Sequence, residues 1–356
     1  PASRRAFLAW AGAGSAFAAL AAGAGTKLRG RGRVEAARGA LVLPPPAVPA
    51  PPAPAGLAVA GLSTRVTPNA DFYRIDTALL VPRVDPGGWR LRVTGLVEAE
   101  LEMTLDHLLA EDLVEEEVTL ACVSNEIGGD LVGNARWLGL PLGPLLERAR
   151  PTAEASQVVG RSVDGFTAGF PLEAARDGRT ALLAVGMNGE PLPIPHGFPA
   201  RLVVAGLYGY VSATKWLSEI ELTRWEDYDA FWVPRGWSKE GPVKTQSRID
   251  VPRARASVPA GQAVVAGVAW APARGISAVE VQVDEEPWQR AELGGAPSEH
   301  TWVQWRWAWE AAPGHHVLRA RATDGDGVAQ TPERTRPDPD GASGWHTVEV
   351  EVTDRA

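Results

Sequence analysis

The chain has 356 residues, too many for one ordinary hydrophobic core, so two domains with flanking segments are expected. Its composition, 45% hydrophobic and 22% charged, is that of a globular protein, and a formal charge of −8 leaves no basic stripe to neutralise the phosphates of a nucleic acid. A single cysteine excludes an internal disulfide, an iron–sulfur cluster and a C-x-x-C-H haem attachment. Any redox chemistry must then exchange electrons with another protein or a diffusible donor.

The chain opens PASRRAFLAWAGAGSAFAALAAGAG. Two arginines ahead of an apolar Ala/Gly run resemble a twin-arginine export signal, and a run of this length also suits a membrane span. Residues 1–28 are therefore expected to be a signal or an anchor, with the folded part outside the cytoplasm. Gly12-x-Gly14 follows no strand and precedes no acidic partner, so it is not read as a dinucleotide loop. Residues 29–60 read as a Pro/Ala-rich linker. Seven of the twelve residues from Leu43 to Pro54 are proline, which favours extended polyproline geometry and predicts a stiff spacer.

From residue 61 to 246, strand and short-helix signals mix without a βαβ rhythm, predicting an α+β domain with a mixed sheet. Trp89–Val97 alternates as a strand, Thr104 can cap the helix LDHLLAED, and VTLAC reads as a buried strand. LGPLLERAR is helical, ALLAV runs toward the hairpin turn Asn188-Gly189, and RLVVAG is a further strand. After about Ser247 the helical signal disappears. AVEVQVD, WRWAWE and TVEVEV alternate with period two, and residues 247–356 read as an all-β sandwich of immunoglobulin-like type. Trp305, Trp307 and Trp309 share one face, more indole than a small sandwich needs, so part of the stripe is expected to bury against another domain or subunit.

Three stretches carry candidate chemistry. In TLACVSNEIGG the lone thiol, Cys122, ends an apolar strand and enters a polar, glycine-rich turn; it is a buried structural sulfur, a nucleophile or a metal ligand. Residues 188–216 offer His196, Arg201 and Lys215 on segments between strands, a set suited to an anionic ligand such as a phosphate, or simply a solvated face. Residues 67–86 place Arg74 and Asp76 among aromatics. Rival sites are weak: the six histidines are scattered with no H-E-x-x-H, His315 and His316 point to opposite faces of a strand, and Asp324-Gly-Asp326-Gly is explained by a hairpin turn without calcium. An exported, non-enzymatic binding module would account for the sandwich but not for these stretches.

TPN-x-x-FYR, the strand ending in Cys122 with Asn125 behind it, ARW-x-G-x-PL, and NG-x-PLP-x-x-HGFP-x-RLVV-x-G…KW occur in the order seen in the sulfite oxidase family of molybdopterin enzymes, which residues 61–225 resemble. The resemblance implies a mixed-sheet molybdopterin-binding catalytic domain over 61–246, followed by that family's dimerisation domain over 247–356. It implies a molybdenum–molybdopterin cofactor, with Cys122 as the thiolate on molybdenum, a soft ligand for a heavy metal; neither haem nor an iron–sulfur cluster is expected, given the single cysteine. Tyr73, Arg74, Val123, Ser124, Asn125, Ser162, His196, Arg201, Ala213, Thr214 and Lys215 would contact the cofactor. Arg74 is expected to steer a substrate oxygen, and Asp164 or Glu126 to manage protons. Implied partners are a small substrate, an external electron donor or acceptor, and a second copy of the chain. Sulfite oxidases resemble C-x-G-N-R-R after the cysteine; here Cys122-Val-Ser-Asn-Glu126-Ile127 keeps the asparagine and lacks both arginines. A tyrosine of the relatives is replaced by Val185. Loss of two cations and gain of a carboxylate disfavour a dianion, each charge at ~4 Å being worth a few kcal/mol. An S-oxide or N-oxide reductase is the expected activity, with sulfite dehydrogenase as the alternative.

Overall fold

The computed structural model describes residues 32–354. The run read as a signal or anchor lies outside the described residues; among those described, no helix is long and apolar enough to cross a membrane. A helix, α1 (32–40), leads into extended chain. The stretch expected as a spacer is strapped onto the body. Val34 of α1 is buried in a core cluster, and Arg38 Nε donates to the Leu192 carbonyl at 2.8 Å. The Ala47 amide donates to Leu113 O at 2.7 Å, and the Leu57 amide to Gln304 Oε1 at 3.0 Å. Polyproline geometry forms no internal hydrogen bonds, which leaves its backbone groups available for such contacts.

Two five-stranded sheets make the body. The first runs in the order β2 (Leu101–Thr104), β1 (Arg90–Gly95), β10 (Leu217–Thr223), β5 (Gln157–Ser162), β6 (Thr167–Pro171), with β1 and β10 parallel and the other pairs antiparallel. The second joins β3 (Val114–Ala121), β4 (Val132–Pro141), β7 (Ala181–Met187) and β8 (Glu190–Pro191), with β9 (Arg201–Val204) on the other edge of β7. Helices are few and short: α2 (Leu105–Leu109), α3 (Leu142–Ala149) and α4 (Gly209–Ser212). The Thr104 hydroxyl accepts the His107 amide at 3.1 Å, capping α2 as its sequence predicts. Along α3, Leu142, Leu145, Leu146 and Ala149 form one buried stripe at helical spacing.

Every residue of β7 is buried, because the second sheet has core on both faces. Ala181, Leu183 and Val185 enter the main body core; Leu182, Ala184 and Met187 enter a second cluster with Trp137, Phe198 and Phe72. Period-two alternation puts successive side chains on opposite faces, so an unbroken apolar run is what a doubly covered strand needs. Val185 therefore belongs to the core. Asn188 and Gly189, both at positive φ, close the β7–β8 hairpin.

Residues 246–353 form two packed sheets around one core. One is ordered β11 (Gln246–Val251), β13 (Gly261–Trp270), β17 (Val303–Ala311), β16 (Glu292–Leu293); the other β12 (Ser257–Pro259), β19 (His346–Thr353), β18 (Gly314–Asp324), β14 (Ile276–Val283), β15 (Gln289–Arg290). Trp305 and Trp309 fill that core with Trp307 packed beside them, so the indole stripe faces inward within its own sandwich. Contact with the body comes through other residues. Trp302 Nε1 donates to Arg65 O at 2.7 Å, its amide donates to Thr119 Oγ1 at 2.7 Å, and Gln304 Nε2 donates to Ser63 O at 2.7 Å. Trp270 and Trp302 join the body core outright, making the two units continuous. Asp324 is spent on structure, accepting from the Val328 amide, Thr245 and Arg274.

Candidate active site

The ends of β3, β5 and β9, with α4 and the segment 225–241, surround one cavity. Cys122 follows the last residue of β3. Its amide donates to Leu131 O at 2.9 Å and its carbonyl accepts the Asn125 amide at 3.0 Å, so the chain turns at once. Asn125 Oδ1 then accepts the Leu131 amide at 2.9 Å and closes the loop from inside. The thiol is 8% exposed; burial pushes its pKa up, against hydrogen bonds from Ser124. The sandwich supports this loop. Arg248 Nη1 donates to Gly129 O at 2.8 Å, and the His346 ring lies where a side chain at Gly128 would project, at φ +76°.

Beside the thiol is a cationic wall. His196 ends a short 3-10 turn, Ile194–His196, and its Nε2 lies 3.2 Å from Asn69 O, which fixes the proton on that nitrogen. Burial and the neighbouring Arg201 lower its pKa to about 4, so the ring is neutral near pH 7. Arg201, the first residue of β9, is 5% exposed and lies over Trp137 at 5.1 Å. Its guanidinium donates only to backbone carbonyls, including His196 O at 3.1 Å and Ala213 O at 3.5 Å, and among the described residues it pairs with no carboxylate. Desolvation lowers its pKa to about 10. Lys215 Nζ reaches Asp76 Oδ2 at 3.0 Å and Ile75 O at 3.1 Å; burial, then Arg201, lowers its pKa to about 8. Burial and the Cys122 sulfur raise the Tyr73 phenol. An uncompensated buried cation costs several kcal/mol, so this wall is built to receive negative charge.

Tyr73, Cys122, Val123, Ser124, Ser162, Asp164, His196, Arg201, Ala213 and Lys215 all line the cavity. Four other sequence candidates do not. Arg74 turns to Asp76, at 2.8 Å, and faces an outer cleft with Arg38, Arg83 and Glu190, so it is not placed to steer a substrate oxygen. Glu126 is exposed on the loop beyond the wall, because the Cys122–Asn125 turn carries it past the opening. Asn125 acts from behind the loop, and Thr214 is fully buried, with Oγ1 donating to Gly160 O at 3.3 Å. Val185 does not reach the cavity either. The fourth side of the cavity was missed from the sequence: Phe166, Tyr210, Trp232 and Trp237 line it too. The signal for Trp232 and Trp237, the aromatic density of WEDYDAFWVPRGW, has no periodicity to reveal it, and Phe166 and Tyr210 stand apart from it in the chain.

Among the described residues no group of three or more His, Cys, Asp or Glu could hold a metal ion, which leaves no zinc-type cluster. A single buried sulfur beside a guanidinium with no carboxylate partner suits an anionic cofactor that a thiolate could also ligate. The comparisons agree. The oxidoreductase molybdopterin binding domain matches residues 78–232. The chain is 32% identical over 286 residues to mitochondrial sulfite oxidase of Rattus norvegicus, covering 68% of this chain and 52% of the relative. It is 33% identical over 183 residues to the uncharacterized oxidoreductase YuiH of Bacillus subtilis, covering 50% of this chain and 89% of the relative. The crystal structure of the sulfane dehydrogenase SoxCD from Paracoccus pantotrophus shares the fold, with a TM-score of 0.70 at 22% identity over 82% of each chain. This chain belongs to the sulfite oxidase family of molybdopterin-dependent oxidoreductases. It spans about half the length of the mammalian sulfite oxidases it matches.

Proposed function

We propose that the cavity holds a molybdenum–molybdopterin cofactor and that the enzyme performs two-electron oxygen-atom transfer on a small S-oxide or N-oxide. The buried Arg201 guanidinium, without a carboxylate partner, is the observation that carries the cofactor reading, since an anionic tail is what it lacks. Cys122 would ligate the metal, and His196, Arg201, Lys215 and the backbone around Ala213 would hold the pterin and its phosphate. When bound, the cofactor supplies a metal centre that changes oxidation state by two electrons. The chain positions and neutralises: Arg201 and Lys215 balance negative charge, and neutral His196 offers an unprotonated Nδ1 without adding a third cation. Asp164, which is exposed and lines the cavity, would exchange protons between solvent and cavity.

The Cys122 turn brings no arginine or lysine, and Phe166, Tyr210, Trp232 and Trp237 line the same cavity, both of which favour a neutral substrate over a dianion. A second reading, sulfite oxidation, draws on the two buried cations and on the relatives' names. Residues 1–28 would direct export, the sandwich would pair two copies, and an external protein or small molecule would exchange the electrons. Purified holoenzyme should contain about one molybdenum per chain and oxidise a reduced viologen when given an S-oxide or N-oxide; Cys122→Ser should abolish this turnover. Ferricyanide reduction driven by sulfite with the higher kcat/KM would replace the reductase reading by the second.

A further inference from the structure

The cavity that Arg201 and Lys215 line is also bounded by a preformed aromatic surface. Phe166 lies 5.7 Å from Phe231, Phe231 5.3 Å from Trp232, Trp232 6.2 Å from Trp237, and Trp237 5.9 Å from Tyr210, centroid to centroid. These rings meet tilted or edge to face, the arrangements aromatic quadrupoles favour. The segment 225–241, which carries Phe231, Trp232 and Trp237, is bolted down by polar groups. Tyr210 Oη donates to Ser238 O at 2.6 Å; Lys239 Nζ donates to Tyr228 O and Asp229 Oδ1, each at 2.8 Å, and also to Trp225 O. Tyr228 Oη donates to Thr167 Oγ1 at 3.2 Å, and the Phe231 amide to the same oxygen at 3.1 Å, tying the segment to β6. Trp232 and Trp237 nevertheless stay half-buried at the cavity, where their remaining apolar area has no protein partner to cover it.

An S-oxide or N-oxide has a polar oxygen at one end and its carbon substituents at the other, and the cavity lining offers both polar groups and aromatic rings. We propose that Phe166, Tyr210, Trp232 and Trp237 form a subsite for the substituent, making the enzyme selective for oxides with an aryl or similarly bulky apolar group. Trp232 and Trp237 are the specificity-determining residues. This inference rests on the reductase reading above. Aromatic faces carry negative quadrupole, so the subsite admits neutral or cationic substituents and opposes anionic ones. Pre-ordering by Tyr210, Lys239 and Thr167 means that little side-chain freedom is lost on binding.

The test compares methyl phenyl sulfoxide with dimethyl sulfoxide as substrates of the holoenzyme. Wild type should prefer the aryl compound in kcat/KM by about 10- to 100-fold, the worth of one apolar group in a fitted pocket. Trp237→Ala and Trp232→Ala should each cut that preference about tenfold, chiefly by raising KM, while Trp237→Phe keeps most of it. Calorimetric binding of methyl phenyl sulfone, offered as an inert mimic, separates the two levels. If wild type reduces no oxide yet binds the sulfone about tenfold more tightly than Trp237→Ala does, the subsite stands and the reductase reading falls. Equal kcat/KM for the two sulfoxides in wild type, or sulfone binding indifferent to both substitutions, overturns the subsite.

Discussion

Cys122 and Arg201 hang from the ends of strands buried on both faces, with His196 on a 3-10 turn ahead of one of them, whereas Trp232 and Trp237 depend on an irregular segment fastened by side chains. In the first region, backbone ladders set position, and local polar groups only trim it: Asn125 closes the Cys122 loop and Asn69 orients His196. In the second, the ring positions depend on Lys239, Tyr210 and Thr167. A cofactor that must be held the same way in every turnover suits the first construction. Discrimination among substrates suits the second, because an irregular segment can change its side chains without disturbing a sheet.

The largest effect should come from Arg201→Met. Molybdenum per chain should fall close to zero, while cofactor-free protein should lose no stability in urea unfolding, since relief of the buried cation's desolvation offsets the backbone hydrogen bonds lost. Loss of stability in the cofactor-free form would mean that the guanidinium serves the fold and not the ligand. The next effect tests how firmly the sandwich holds the Cys122 loop. His346 Nδ1 accepts the Ile249 amide at 2.9 Å, and burial lowers its pKa to about 4. A folded-state pKa below the unfolded value of about 6.5 means that its contribution is complete above pH 6.5 and is lost as pH falls toward 4. Between pH 7 and pH 4.5, wild type should lose on the order of 2 kcal/mol more than His346→Asn, measured by urea midpoints at both pH values. The smallest global effect belongs to Lys239→Met. It should open residues 225–241 to limited proteolysis while lowering overall stability by only about 1 kcal/mol, because a local unit opens without the core. Cooperative global unfolding at that substitution would erase the contrast between the two regions.

Much of the first region was legible in the amino-acid order, because local rules sufficed. VTLAC had to be a buried strand, Asn188-Gly189 had to turn, and a thiol just past a strand end had to meet a loop; these follow from side-chain alternation and from which residues accept positive φ. His196, Arg201 and Lys215 were found as a cluster because their segments lie between recognisable strands. The aromatic stretch carries no such periodicity, and only its ties to β6 and α4 bring the Trp232 and Trp237 indoles to the cavity that Cys122 lines.

The sequence by itself marked several of the strands, the change from mixed to all-β signal near residue 247, and the position of the single sulfur at a strand end. The tertiary structure decided what each exposed group faces. It turned Arg74 outward to Asp76, carried Glu126 past the opening, drew the Trp305–Trp309 stripe into its own sandwich, and strapped the proline-rich segment to the body. The reason is one of range: backbone dihedrals and period-two alternation are settled within a few residues. The partner of a charge or a ring is settled by chain up to hundreds of positions away.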